Sequence, residues 1–278
     1  MDLDSATGRR SVQDLQAIAL SLRRRMLRMA ADKGEGYIAQ GLGIADLMAA
    51  VYFRELRVDP FHLDDPQRDR FLLSTGHYSI ALYAVLAELG VLSEQDTQAY
   101  ALNGSALPMS TFDETPGVEI TSGSLGHGLG QGVGMALALR LDASAAKVVV
   151  ELSDGELQEG STWESAMSAS SFRLDNLWAV VDCNGIQADG PMVLDIEPVI
   201  DKWRAFHWSA VEVDGNDMAQ IAEAFDDLRE LPGPKVIVLR TTPGWGVPTL
   251  VAKERAHFVR VADHEWAQLQ QELEDQHG

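Results

Sequence analysis

Cysteine and basic residues are scarce in this sequence, and each scarcity excludes a class of protein. Cys183 is the sole cysteine of the 278 residues, which excludes an internal disulfide and a thiolate zinc cluster, and we expect it to be a small buried residue at a strand end. Lys and Arg total 22 against 42 Asp and Glu, a formal charge of −20. Because nucleic acids and anionic membranes are bound by clustered cations, neither partner is expected. The one local basic run, Arg23, Arg24 and Arg25 with Arg28, is expected to be a solvated helix face.

Long apolar runs are also missing. No stretch approaches the roughly 18 apolar residues that a membrane span needs, and the N-terminal region lacks an apolar signal core. We therefore expect a cytoplasmic protein. Hydrophobic residues make up 46% of the chain, enough to bury a sizeable core. A single α/β domain over residues 1–278 is the simplest expectation.

Short apolar runs alternate with segments of helical periodicity. Strands are predicted at about 70–74, 148–152, 177–181, 208–213 and 236–239, and the main helices at about 12–31, 44–53, 80–89, 127–141, 217–231 and 263–274. Strands that are joined through helices imply right-handed crossovers and a parallel sheet. The predicted fold class is α/β, a parallel β-sheet with helices on both faces.

Polar residues follow two of the predicted strands. Asp154 comes directly after the apolar run 148–152 and Ser153, and Asn184 follows the run 177–181, thirty positions further along. Because the carboxyl ends of parallel strands form the ligand crevice, a carboxylate and a carboxamide would meet there. Oxygen ligands of this kind suit Mg²⁺ bound to phosphates. An Asp-Gly or an Asn-Gly on its own is also typical of a turn.

Residues 102–124 form a long connection that ends in a glycine-rich stretch and leads into the helix at 127–141. A loop of this length seldom occurs in a compact domain unless it lines a site. The glycines either let the backbone approach a ligand closely or form a helix-packing seam, and spacing alone leaves both interpretations open. His77 lies where a strand gives way to a helix, which is typical of a site, although a single histidine there is more often a capping or core residue.

Several longer segments together resemble one family. GHYSIALYAVLAELG, TPGVEITSGSLGHGLGQGVGMA, DGELQEGSTWESAM, LDNLWAVVDCNGIQADG and VEVDGND occur in the order and spacing of the N-terminal half of transketolases, over roughly residues 15–257. The chain resembles the N-terminal subunit of a split, two-chain transketolase. The resemblance implies thiamine diphosphate as cofactor, held with Mg²⁺ or with Ca²⁺ or Mn²⁺ in its place. It also implies transfer of a two-carbon ketol unit from a ketose-type donor to an aldehyde.

The resemblance assigns roles residue by residue. The metal ligands would be the side chains of Asp154 and Asn184 and the backbone carbonyl of Ile186. The other residues implied near the cofactor are Gly123 and Leu125 at its aminopyrimidine, Gly155 over the diphosphate, and His77 and His257 at the diphosphate and substrate. Glu159 matches a glutamate in the hydrogen-bond network that links two cofactors. His77, His257 and Glu159 are accordingly the predicted catalytic residues, with the two histidines moving protons at substrate hydroxyls.

Four departures from the family concern mainly the substrate end of the site. Tyr37 stands where the family has a histidine that contacts the substrate, and is the predicted substrate residue. Ser153 replaces a glycine, and the other two departures are Pro108-Met109-Ser110 for a Gly-His-Pro and Pro243-Gly244-Trp245-Gly246 for a Lys-Gly-Lys-Gly loop. The loss of imidazoles and cations weakens the case for a strongly anionic substrate. We therefore expect specialised rather than housekeeping substrates.

The family's pyrimidine-binding domain, which carries the glutamate that activates the cofactor, has no counterpart in residues 1–278. The resemblance therefore implies a partner chain that supplies this domain, in a heterotetramer with two copies of each chain. One alternative keeps the cofactor and uses a pyruvate-type donor for acyl transfer or decarboxylation. Another is a non-catalytic regulatory subunit. A dinucleotide-binding protein is disfavoured because no glycine fingerprint directly follows the first strand.

Overall fold

A five-stranded parallel sheet, in the order β2-β3-β4-β8-β7, forms the centre of the computed structural model, which describes residues 9–188 and 190–276. The strands in these residues are β1 Glu35–Gly36, β2 Arg70–Leu73, β3 Val148–Ser153, β4 Leu177–Cys183, β5 Ile186–Gln187, β6 Gly190–Pro191, β7 Ser209–Asp214, β8 Lys235–Arg240 and β9 Val259–Arg260. The helices are α1 Val12–Ala31, α2 Ile38–Gly43, α3 Ala45–Ala50, α4 Ser79–Glu88, α5 Glu94–Gln98, α6 Gly128–Leu141, α7 Gly160–Ser171, α8 Val199–Ala205, α9 Met218–Arg229, α10 Pro248–Val251 and α11 Trp266–Asp275. The predicted parallel sheet with helices between its strands is confirmed.

The two faces of the sheet are covered by different helices because the apolar strand residues alternate between them. Val149 on β3 and Val180 on β4 pack into a core with α1, α3, α4, α9 and α11. Val150 and Ala179 face the opposite way and pack into a second core with α6, α7 and α8. Both faces of the central strands are therefore buried, as expected for a parallel sheet.

The helix predicted at about 44–53 begins earlier than the pattern indicates. The chain becomes helical at Ile38, and α2 is followed by α3 and a π-helical turn over Val51–Glu55. Gly41 lies inside α2, where a Cβ would come within 2.7 Å of Ile80 and 2.9 Å of Met26. This glycine allows α2 to pack closely on α1 and α4 instead of ending a helix.

The expectation that the basic run is a solvated face is wrong for Arg23. Its side chain lies on the buried side of α1, with 1% of the residue exposed. The guanidinium donates to the backbone carbonyl of Leu42 at 3.2 Å and forms an ion pair with Asp46. Hydropathy alone predicts that Arg23 is exposed. It can be buried because its charge is neutralised by Asp46, a partner 23 positions away in the sequence. Arg24 keeps the expected exposure and pairs with Glu274 at the surface.

Candidate active site

A cavity of about 440 Å³ opens at the carboxyl ends of β2, β3 and β4. Its lining includes seven of the predicted site residues and the predicted substrate residue, namely Gly123, Leu125, Asp154, Gly155, Ile186, His77, His257 and Tyr37. A larger cavity of about 800 Å³ lies between the loops that precede β4, β7 and β8, at the amino ends of the strands. None of the predicted site residues lines that second cavity. The predicted site residues that line the first cavity therefore lie together at the carboxyl ends of the strands, as expected.

Strand register brings Asp154 and Asn184 to the same place. Ser153, the last residue of β3, pairs with Asp182 on β4, so Asp154 and Asn184 follow the ends of two adjacent strands. The backbone N–H of Asp154 donates to the carbonyl of Asp182 at 2.9 Å. Oδ2 of Asp154 accepts from the N–H of Gly185 at 2.6 Å, which joins the two loops directly. The predicted meeting of a carboxylate and a carboxamide is present.

Asp154 lies in an environment that favours a bound cation. The residue is 3% exposed. Burial, together with the nearby carboxylate of Asp182, raises its pKa to about 7. A divalent ion would offset both effects by favouring the ionised form. Among residues 9–188 and 190–276, no group of three or more His, Cys, Asp or Glu side chains forms a complete metal cage, so an ion here needs amide, backbone and ligand oxygens as well. Mg²⁺ is commonly bound in that manner.

The carboxamide of Asn184 has a defined orientation. Its Nδ2 donates to Oδ2 of Asp182 at 2.6 Å and to the hydroxyl of Tyr78 at 3.0 Å. Its Oδ1 accepts from the backbone N–H of Ile186 at 2.9 Å. Asn184 lines a neighbouring cavity of about 350 Å³ that shares Asp154 with the main cavity. Tyr78 and Asp182 were not predicted from the sequence, and only their positions beside His77 and Asn184 could have pointed to them.

An aromatic cluster forms one wall of the cavity. The ring centroid of Tyr37 lies 4.8 Å from that of His77 and 5.3 Å from that of His257. Burial, and to a smaller extent His257, lowers the pKa of His77 to about 3, and burial lowers the pKa of His257. Both imidazoles are therefore neutral near pH 7 and each can donate one hydrogen bond and accept another. Nδ1 of His257 is buried without a hydrogen-bond partner among the described residues, as expected for a group that meets a ligand.

The glycine-rich stretch serves both of the purposes that the sequence left open. Gly123 lines the cavity. Gly155, outside this stretch, lines the cavity as well, and a Cβ there would lie 3.7 Å from Leu125. Gly128 instead belongs to a packing seam, where a Cβ would come within 2.3 Å of Ser74. Gly76 has the same role, since its Cβ would collide with the carbonyl of Ser122 at 2.3 Å.

Glu159 lies outside the cavity. It is exposed at the N-terminus of α7, where Gly126 packs against its side chain. The buried glutamate of this segment is Glu156, at 0% exposure, which accepts from the N–H of Gly126 at 2.8 Å and from the hydroxyl of Ser74. It ties the glycine loop to the ends of β2 and β3. Ser153 and Glu156 exchange bonds in the manner of a capping box, and this Ser-x-x-Glu spacing was a signal in the sequence.

Comparison with known proteins assigns a family to most of the chain. The family described as transketolase, thiamine diphosphate binding domain, matches residues 16–276. A transketolase family protein of Sinorhizobium fredii is 51% identical over 258 residues, which are 90% of this chain and 91% of the relative. The 6-deoxy-6-sulfo-D-fructose transketolase subunit SqwG of a Clostridium species is 36% identical over 265 residues, covering 94% of this chain and 96% of the relative.

Among solved structures, a transketolase from Pichia stipitis carrying an R525L substitution superposes with a TM-score of 0.86 at 32% identity. The superposition covers 97% of this chain and 41% of the solved chain. This chain therefore spans less than half the length of that solved transketolase, whereas it spans nearly all of the Clostridium subunit. In the part of the chain that the structure describes, no helix combines the length and hydropathy that crossing a membrane requires.

Proposed function

Because the chain belongs to the transketolase family through its thiamine diphosphate-binding domain, we propose that it is the N-terminal subunit of an enzyme that transfers a two-carbon ketol unit from a ketose-type donor to an aldehyde. The observation that carries this proposal is the convergence, in one cavity, of a buried carboxylate, two neutral imidazoles and two backbone glycines. A relative named for a sulfonated ketose supports specialised rather than housekeeping substrates.

The cofactor of this family is thiamine diphosphate, which supplies an electron sink for cleavage of the bond next to the ketone. We propose that a divalent ion, Mg²⁺ or Ca²⁺ or Mn²⁺ in its place, is held by the side chains of Asp154 and Asn184 and the backbone carbonyl of Ile186. The raised pKa of Asp154 supports this assignment, since the site disfavours its ionised form without a cation. Gly155, which lines the same cavity, would lie over the diphosphate.

The chain's own contribution to the reaction is binding, orientation and proton transfer. Gly123 and Leu125 present backbone and an apolar side chain to the ring end of the cofactor, where water must be excluded. His77 and His257 hold or move protons at the hydroxyl groups of the substrate, and their lowered pKa values keep them neutral at the working pH. Tyr37 packs against both imidazoles and limits how a substrate can approach them.

The proposed domain is a single diphosphate-binding unit, with the pyrimidine-binding domain on a partner chain. We propose that the two chains assemble as two copies of each. The Clostridium relative supports the existence of a partner chain, because a protein of matching length is named as a subunit. The exposure of Glu159 is in keeping with a role across an interface between chains, where it would belong to the network that links two cofactors.

Calorimetry on the complex of this chain with its partner subunit tests the proposal. Thiamine diphosphate should bind only with Mg²⁺ present, and Asp154→Ala should abolish that binding. Asp201→Ala provides a matched control, since Asp201 is an exposed acid on α8 away from the cavity. Absence of magnesium-dependent binding in the unmodified complex would instead favour a regulatory subunit. Turnover of pyruvate without ketol transfer would favour the acyl-transferring alternative.

A further inference from the structure

Neither the family resemblance nor the proposed mechanism assigns a role to Asp182. We propose that Asp182 is a positioning residue that sets both side-chain ligands of the metal site, Asp154 through its backbone and Asn184 through its carboxylate. The inference rests on the metal site of the proposed function and adds a determinant of metal affinity that does not touch the ion.

The backbone contact places the first ligand. Asp182 is the residue of β4 that pairs with Ser153, and its carbonyl accepts from the N–H of Asp154 at 2.9 Å. This bond continues the ladder between β3 and β4 by one residue beyond the register pairs. Asp154 therefore leaves the sheet in a direction set by β4, the same strand that leads into Asn184.

The carboxylate of Asp182 decides which end of the Asn184 amide points away from it. A carboxylate only accepts hydrogen bonds, so at 2.6 Å from Oδ2 the amide must present its Nδ2. If the amide were rotated by half a turn, two oxygens would face each other at that distance. The amide oxygen is a ligand for a hard cation and the amide nitrogen is not. Asp182 thus selects the orientation in which Asn184 can bind metal.

The carboxylate is itself held in place by a second side chain. The hydroxyl of Thr241, which follows β8, donates to Oδ1 of Asp182. The hydroxyl of Tyr78 accepts from Nδ2 of Asn184 at 3.0 Å and so holds the amide on its other side. Asp182 is 1% exposed, so water does not compete for these bonds. Asn184 therefore has one stable orientation, because the carboxylate partner of its Nδ2 accepts hydrogen bonds and cannot donate them.

A swap of acid and amide tests the inference in the complex with the partner subunit. The measured quantity is the Mg²⁺ concentration that half-saturates thiamine diphosphate binding in calorimetric titrations. D182N should raise that concentration by about 10- to 100-fold, as is usual when an outer partner of a metal ligand is lost. N184D should raise it too, because two carboxylates then face each other. The double variant D182N/N184D should recover affinity, since the carboxylate then at position 184 presents an oxygen in either orientation and the amide then at position 182 can donate to it.

Three results would overturn the inference. The first is that D182N has the same half-saturating Mg²⁺ concentration as the unmodified protein. The second is that the double variant needs at least as much Mg²⁺ as the single variant with the weaker metal affinity. The third is that Glu151→Gln loses as much Mg²⁺ affinity as D182N. Glu151 is a matched buried acid on β3 that bonds to Thr75 and does not contact Asn184. Asp154→Ala in the same titrations separates the two claims. If it keeps magnesium-dependent binding, the proposed function fails; if it abolishes that binding while D182N keeps the half-saturating Mg²⁺ concentration of the unmodified protein, the inference alone fails.

Discussion

His77 and His257 lie with their ring centroids 5.2 Å apart and their planes inclined by 45° at the wall of the cavity. Burial, with a smaller contribution from His257, lowers the pKa of His77 to about 3. Two imidazoles this close and this poorly solvated cannot both carry charge near neutral pH. The pair is therefore suited to hydrogen bonding and proton transfer rather than to binding an anion by charge.

We expect the imidazole resonances of His77 to show no titration between pH 5 and pH 8 in NMR spectra of the ligand-free protein. His62 serves as the control, because its hydrogen bond to Asp59 at 2.8 Å raises its pKa from the usual 6.5. The folded-state pKa of His77 is lowered, so the unfolded chain binds a proton more readily between pH 6.5 and about 3. His77 should contribute to a loss of stability as the pH falls through that window. A His77 midpoint near 6.5 would contradict the structure.

Glu151→Gln should make the protein more stable at neutral pH. Glu151 is fully buried on β3, and burial raises its pKa well above the usual 4.5. The unfolded chain releases this proton above pH 4.5 while the folded chain keeps it, so stability should fall with rising pH by about 1.4 kcal/mol per unit. Glutamine can still accept the bond from the hydroxyl of Thr75, 2.5 Å from the carboxylate. Urea unfolding at pH 5, 6 and 7 measures the difference between the two proteins; parallel pH profiles would refute the prediction.

Arg23→Ala should destabilise the protein by about 3–5 kcal/mol, since it leaves Asp46 buried without its ion-pair partner. The side chains of Arg23 and Asp46 are only 2% and 6% exposed. Arg24→Ala is the control on the same helix. Its pair with Glu274 is 42% and 44% exposed, and exposed pairs contribute about 0–1 kcal/mol. Chemical denaturation measures the free energy of unfolding of both variants. Equal losses of stability would mean that the buried pair has no special role.

Tyr37→His should change which donor the assembled enzyme prefers. The ring of Tyr37 contacts those of His77, His257 and Phe258 at centroid distances of 4.8, 5.3 and 5.2 Å. No Lys or Arg side chain lines the described cavity, so this wall offers a ligand shape and hydrogen bonds instead of a cationic side chain. We expect the ratio of kcat/KM for two ketose donors to change by roughly 10-fold, equivalent to about 1.4 kcal/mol. Tyr37→Phe separates the ring from the hydroxyl. Unchanged ratios in both variants would remove Tyr37 from the substrate site.

Glu159→Gln should weaken cofactor binding in the assembled complex and leave the stability of the isolated chain nearly unchanged. The residue is exposed outside the cavity, so its substitution should change the unfolding free energy of the single chain by no more than about 0.5 kcal/mol. In the complex it should weaken thiamine diphosphate binding by roughly 10-fold or more, since hydrogen bonds to charged groups contribute about 1.5–3 kcal/mol. Calorimetry on chain and complex compares the two. If the complex with Glu159→Gln bound thiamine diphosphate as tightly as the unmodified complex does, Glu159 would not belong to the cofactor network.

Much of the fold was predictable because it depends on local pattern. Apolar β-branched runs at 148–152 and 177–181 are too short and too closely flanked by turn residues for helices, and they form β3 and β4. Two helix starts also depend on short motifs: Ser11 forms the N-cap of α1, and Ser93 forms a capping box with Asp96 at α5. Helix starts near glycines were less predictable: the helix expected from about residue 44 begins at Ile38, and Gly41 within it allows helices to pack closely.

The sequence by itself determined the parallel sheet, the positions of Asp154 and Asn184 after neighbouring strands, and the family. The sheet and the two positions follow from periodicity and from residue type at strand ends, which are properties of short segments, and the family follows from the resemblance of several longer segments. Only the tertiary structure decided that Asp182 orients Asn184, that Glu156 rather than Glu159 is buried, and that Arg23 lies in the core with Asp46. Those outcomes depend on strand register and on side chains brought together from distant positions. A buried charge is stable only where packing supplies its partner, and no local pattern specifies that partner.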